Sequence, residues 1–327
     1  MTTAPAGATG TSRRGPRLSG LTWLVWRQHR AAFWTGLTVT AAGIAWFAYQ
    51  RANMMDYLDS VGWPHPKSPT WSAGFETYES QLSDFSSVLG LLPVLVGVFL
   101  GAPLIANDLE HGTGRLVTSQ AVSRGRWLAM KLGTAALVVT VCTTALSVAF
   151  GWWLGPVRDQ NGVLYWLAGS VTGPLPVALG LFTTAAGVAI GMVLRRTLLS
   201  MVVTFGFAVT VELVWATCWP QLGNAVTATT RHGVGDGTFP QLPETAYDLN
   251  QSYLTGSGEL LSSNSCALEN EQAINACLKQ KDIVGWSVDY LPASQLSPTM
   301  WTGTAILLTL TAAATAFVFW WGRKRLY

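Results

Sequence analysis

The sequence predicts an all-α membrane protein with six transmembrane helices. It adds a cytoplasmic N-terminal interfacial helix and a large extracellular loop between helices five and six. Three observations predict this. Apolar stretches recur at 32–49, 85–106, 132–154, 175–194, 198–219 and 300–321. At about 1.5 Å per helical residue, each is long enough to cross a hydrocarbon core of about 30 Å. Half of the 327 residues are hydrophobic and only 11% are charged, so a water-soluble fold could not cover that much continuous apolar surface. The basic residues are also sided. Of the 20 Lys and Arg, 14 fall before the first stretch, between two and three, between four and five, or after six. The positive-inside rule therefore places those segments and both termini in the cytoplasm. The 14 acidic residues of the opposite loops orient spans only weakly.

The elements follow in order. Residues 1–17 are small, polar and Arg-containing, the composition of a disordered cytoplasmic tail. Residues 18–219 are the bundle of helices one to five. At its start, Leu21, Leu24 and Val25 share one helical stripe, with Trp23 and Trp26 beside it and Arg27, His29 and Arg30 at its end. That pattern favours a separate interfacial helix over 18–30, lying at the inner leaflet, against the simple cytoplasmic end of one long helix. Residues 50–84 form a polar outer loop with Pro64, Pro66 and Pro69, and 75–85 has the spacing of a short helix capping span two. Between spans three and four, the apolar run 164–172 meets Gly173-Pro174-Leu175-Pro176. One helix over 164–194 would be about 46 Å long, so the prolines break it into a short interfacial or re-entrant helix and span four. Leu194-Arg195-Arg196-Thr197 is then a tight cytoplasmic hairpin between spans four and five.

Residues 220–299 form an extracellular cap with eight acidic residues against three basic ones, too long for a mere connector. Its best helical candidate is 267–279. Cys266 and Cys277 are the only cysteines in the cap, and the oxidising side of the membrane allows them a disulfide. Bonded cysteines need Cα atoms within about 7 Å. Cys266 must therefore precede the helix and fold back, or the helix must be shorter than its pattern. Cys142 reads as a small buried residue of span three, and Cys218 lies at the outer end of span five. Residues 300–327 are the sixth span and a basic cytoplasmic tail.

Several function classes are excluded. No G-x-x-x-x-G-K-[ST], H-E-x-x-H or G-x-S-x-G occurs, so the chain carries no ATPase or hydrolase signature of its own. No Cys/His spacing suits a metal, and no long basic run or aromatic-interleaved stripe suits a nucleic acid. Within the membrane, Glu212 is the one ionisable residue well inside a span. A mid-bilayer charge costs on the order of 2.5–3.5 kcal/mol, so Glu212 faces a polar pathway, pairs with a neighbour or is protonated. It is the candidate for a translocation path. Thr204, Thr210 and Thr217 share its span and either line the same seam or bond their own backbone.

The stretch 107–131 carries the other candidates. It leaves span two with Asp108, Glu110, Gly112 and Thr113, continues through a helix-capable run over 115–121, and reaches Ser123, which can N-cap a helix bearing Arg124, Arg126, Trp127 and Lys131. Such a compact bracket between two spans can transmit a push from a cytoplasmic partner. The plainer reading is a positive-inside loop with an aromatic anchor at Trp127.

Glu110-His111-Gly112-Thr113, followed by Ser123-Arg124-x-Arg126-Trp127 and Lys131, resembles the membrane subunits of type-2 ATP-binding-cassette (ABC) exporters. Trp26-Arg27-Gln28-His29-Arg30 before span one is similar, as is Asp289-Tyr290-Leu291-Pro292-Ala293-Ser294 ahead of a last span ending Trp320-Trp321-Gly322-Arg323-Lys324-Arg325. The resemblance runs along nearly the whole chain and is weakest in the outer loops. It implies a permease of a bacterial cytoplasmic membrane, with six helices per subunit and dimerisation with a second copy or a related permease. ATP and Mg would be handled by a separate ABC ATPase, which docks on the bracket formed by Asp108, Glu110, Gly112, Thr113, Ser123, Arg124, Arg126 and Trp127. The rival classes are a secondary transporter or channel, for which one intramembrane Glu is thin, and a stand-alone immunity, sensor or assembly protein whose cap binds a ligand.

Overall fold

A computed structural model describes residues 21–65, 71–112, 123–160, 162–235, 237–267 and 270–325. The expected tail at 1–17 and the helix-capable run at 115–121 lie outside the described residues. The first helix, α1 (Leu21–Val61), runs unbroken for 41 residues. A separate interfacial helix that turns into span one is therefore corrected: no Gly or Pro lies between Leu21 and Trp34, and nothing interrupts the backbone ladder. At about 60 Å, α1 is longer than a bilayer core is thick. Its last turns pair with α2 (Trp71–Gly90), where Gln50 donates to Gln81 at 2.8 Å. The expected outer loop is thus largely a helical hairpin. It is sealed by Phe47, Leu58, Phe75, Leu82, Phe150 and Trp153.

The second expected span is segmented. After Leu91 come α3 (Leu92–Val96), one π-helical turn (Gly97–Gly101) and α4 (Pro103–Glu110). Pro103 has no N–H to donate, and the Ala102 N–H reaches back five residues to the Gly97 carbonyl at 2.9 Å. This turn presses on α7 (Pro174–Leu194). A Cβ on Gly101 would sit 2.6 Å from the Thr184 carbonyl oxygen, and one on Gly187 would sit 2.6 Å from that of Gly97. Only glycine permits that approach, the small-residue packing by which membrane helices associate. Thr183 adds a buried hydrogen bond to the Pro93 carbonyl at 2.6 Å.

The third expected span is α5 (Arg124–Leu154), and the Gly173-Pro174 break falls between α6 (Gly162–Val171) and α7. Gly173 takes a φ of 78°, and Pro174 then starts the helix where its missing N–H costs nothing. Helix α7 is central, packed against α4, α5, α8 (Thr197–Cys218) and α10 (Leu296–Arg325). Its apolar window is 61% buried, against 17% for α8. Among the described residues, five helical runs are long and apolar enough to cross a membrane.

The bundle is helical as expected, and the cap adds a sheet that this expectation left out. Strands β1 (Val226–Thr229), β2 (Tyr247–Thr255), β3 (Leu260–Ser262) and β4 (Ile283–Leu291) form an antiparallel sheet in the order β1-β4-β2-β3. Tyr253 packs on Trp286 with ring centroids 4.7 Å apart. Helix α9 (Glu271–Gln280) starts four residues later than expected because Asn270 caps it, accepting from the Ala273 N–H at 2.7 Å. That leaves Cys266 in the preceding 3-10 turn, folded back and disulfide-bonded to Cys277 with Cα atoms 5.8 Å apart. Cys142 is half-buried and Cys218 exposed, both as free thiols. Trp166 joins cap to bundle by donating to the Thr245 carbonyl at 3.0 Å and by packing with Trp219 and Tyr247.

Candidate functional site

Polar side chains gather in two places, at the end of the bundle away from the cap and in a cavity near the cap. At the first, α4 delivers Asp108 and Glu110, while α5 delivers Trp127 and Lys131. Lys131 is fully buried and Asp108 is 3% exposed. The ammonium lies 2.5 Å from Asp108 Oδ2 and donates to the Leu104 carbonyl at 2.8 Å. It also stands 5.1 Å from the Trp127 ring. Two charges withdrawn from water persist together only when paired and further hydrogen-bonded, which is the arrangement here. Trp127 packs with Leu104, Ile105, Val188, Met192 and Val318 at 3% exposure. A membrane-surface anchor at Trp127 is therefore corrected. Asp108 and Trp127 brace the bracket from within.

Glu110 is exposed, and its Oε2 accepts from the Thr197 N–H at 2.8 Å. Thr197 is the first residue of α8, so the carboxylate sits on an unsatisfied donor at a helix N-terminus. The Thr197 hydroxyl and backbone N–H beside it hold the Glu110 carboxyl below the ordinary carboxylate range. The α7–α8 hairpin is made tight by Arg195, which takes a left-handed φ of 55° while its N–H donates to the Gly191 carbonyl at 3.0 Å. The ends of α4, α5 and α8 are thus tied at two points. Ser123 caps α5 by accepting from the Arg126 N–H at 3.4 Å. Arg126 is exposed and Arg124 half-exposed, and Gly112 is exposed with a φ of 70°. Thr113 lies outside the described residues.

The second place is a cavity of about 270 Å³ bounded by α2, α3, α5, α6, α7, α8 and α10. Glu212, Trp215 and Trp219 line it from one face of α8 and the turn after it. Thr299 lines it from α10. Glu212 Oε1 and Thr299 Oγ1 are both buried without a hydrogen-bond partner. Thr210 and Thr217 bond their own helix, at 2.8 Å to the Gly206 carbonyl and 2.9 Å to that of Val214. Thr204 is buried against Gly187 and its hydroxyl has no partner. Among the described residues, no three His, Cys, Asp or Glu side chains converge as metal ligands would.

Sequence reasoning missed three participants. Lys131 counted as part of a basic face, though a lysine in the third turn of an apolar helix is a signal that it needs a buried partner. Thr197 and Thr299 carried no signal, because a threonine at the end of a span is ordinary.

No curated protein and no solved structure matched this chain. A family model described as ABC-2 membrane transporter related matches residues 37–219, more than half of the chain. The matched segment covers the whole α4–α5 bracket, the α7–α8 hairpin and Glu212. The chain is accordingly a multi-pass membrane protein that belongs to the ABC-2 membrane transporter related family, an ABC-2 type permease subunit.

Proposed function

We propose that this chain is the membrane half of an ABC exporter of the bacterial cytoplasmic membrane, driven by ATP hydrolysed with Mg on a separate ATPase subunit. Both termini are cytoplasmic, residues 32–49 of α1 form the first of six spans, and the working unit is a dimer with a second copy or a related permease. The ATPase docks on the bracket that holds Asp108, Glu110, Gly112, Thr113, Ser123, Arg124, Arg126 and Trp127. Glu212 marks the translocation path. One observation carries the coupling part: Glu110 on α4 holds the first N–H of α8, while Lys131 on α5 holds Asp108 on α4. A push on the segment between α4 and α5 is therefore passed to three helix ends that are tied to one another.

The test is co-purification with the ATPase, with ATP turnover and complex mass read together. Glu110→Ala and Arg126→Glu should leave the permease in the membrane and lower turnover of the complex about tenfold, within the usual range of coupling energies. The active complex should weigh as two permeases. Wild-type turnover in both variants would overturn the docking assignment, and a single permease in the active complex would overturn the dimer. A chain that co-purifies with no ATPase would favour a stand-alone membrane protein whose cap binds a ligand.

A further inference from the structure

The cavity near the cap has an uneven chemistry. Of its hydroxyls, Ser86 and Ser87 donate to the Ser83 carbonyl at 2.7 and 3.1 Å, Ser147 to that of Val171 at 3.0 Å, and Ser170 to that of Leu167 at 2.9 Å. The protons of these serines are committed to main chain, so they offer lone pairs to the cavity, whereas the Thr299 hydroxyl keeps its proton uncommitted. Glu212 adds a carboxyl whose Oε1 has no partner. Among the described residues, no Lys, Arg or His lines the space. The wall is thus rich in acceptors and carries one acid without a counter-ion, a costly arrangement in a low-dielectric setting unless something supplies donors or positive charge. Trp215 and Trp219 stand three and seven residues from Glu212, on the same helical face, and indole rings are the strongest cation–π surfaces among side chains. The rest of the wall is largely apolar, with Leu, Pro and Met side chains. A hydrated metal ion needs a shell of oxygen ligands, which a single carboxylate in such a wall does not provide.

We infer that this cavity binds a small lipophilic ammonium ion, its charge against Glu212, its alkyl or aryl body against the Trp215–Trp219 wall. At about 270 Å³ the space lies at the lower end of ligand-pocket sizes, so the ligand is a compact amine and not a long peptide. The inference rests on the transport reading only for the fate of the ligand, because binding is measured on the chain alone.

The probe is benzyltrimethylammonium, compared with neopentylbenzene, its neutral isostere, and with phenylmethanesulfonate as an anion. Binding is followed by scintillation proximity on the full chain in maltoside micelles, with empty micelles subtracted. The wild type should bind the cation at least about tenfold more tightly than the hydrocarbon, the discrimination expected of a hydrogen-bonded or ion-paired charge. The anion should bind least. Glu212→Gln should bring cation and hydrocarbon to within about twofold while the hydrocarbon affinity stays unchanged, which also reports an intact cavity. Added phosphatidylethanolamine that displaces the cation assigns the site to a lipid ammonium head group. No displacement assigns it to a soluble amine. Equal binding of cation and hydrocarbon, a preference that survives Glu212→Gln, or no cation binding at all overturns the inference. The wild-type charge order decides even if the variant does not fold. Cation binding without ATP-driven turnover would count against the transport reading and leave this one standing.

Discussion

At the end of the bundle away from the cap, Asp108 is buried with the Lys131 ammonium 2.5 Å from its carboxylate and a main-chain carbonyl completing the ammonium's shell. At the cap end, Glu212 Oε1 is buried with no hydrogen-bond partner and, among the described residues, no basic side chain in the surrounding wall. The same chemical group is treated in opposite ways. A paired acid has its desolvation offset locally and serves as a fastener. An unpaired one leaves a deficit inside the fold, and such local inconsistencies mark sites where function, not stability, sets the residue. The contrast separates a joint from a receptacle.

The largest effect should come from making the first end resemble the second. Lys131→Met leaves Asp108 buried and alone, and breaking a buried pair in this way costs about 3–5 kcal/mol. Expected are a sharply lower thermal midpoint and poor recovery of monodisperse protein, with much of the loss regained in the Asp108→Asn, Lys131→Met double variant. A single variant that melts like the wild type would remove the fastener from the comparison.

A smaller effect sharpens the other half. Glu212→Gln removes a charge that no protein group satisfies, so thermal stability should change by less than about 1 kcal/mol, or rise. A loss of more than about 2 kcal/mol would mean that the acid is held by the structure like Asp108.

The smallest effect concerns Glu110, the exposed tie between the two extremes. Its carboxyl is held below the ordinary value of 4.5 in the folded chain, so its contribution is complete above that pH and fades as pH falls toward the lower folded value. Wild type and Glu110→Gln should differ in thermal midpoint at pH 7, and the gap should close in acid. A gap that persists at low pH would place the effect elsewhere than the Glu110–Thr197 bond.

Much of the bundle was legible because membrane helices are written locally. The expected stretches at 175–194 and 198–219 meet helices at Pro174–Leu194 and Thr197–Cys218, and the Gly173-Pro174 break falls where backbone chemistry requires one. The first helix was misjudged at its start because amphipathicity signals a surface, not a bend. The cap sheet was not legible. Tyr247 pairs with Leu291 across 44 residues, and neither strand alternates cleanly enough to announce a partner that distant. The Asp108–Lys131 pair escaped for the same reason, since it spans 23 positions and depends on two helices already packed. Glu212 was visible as an isolated charge, whereas its cavity needed seven helices placed at once.

The position of the sheet has a mechanical consequence. Strand β1 follows α8 and β4 precedes α10, and the two strands are hydrogen-bonded neighbours with Val226 opposite Tyr290 and Thr229 opposite Ser287. The upper ends of α8 and α10 are therefore riveted through main chain, while their far ends carry no such clasp. Pulling the two helices apart beside Glu212 would tear a ladder of backbone bonds. Parting them at the other end asks only for a pivot about the rivet, in the manner of tweezers, whose tips travel furthest where α8 meets Glu110.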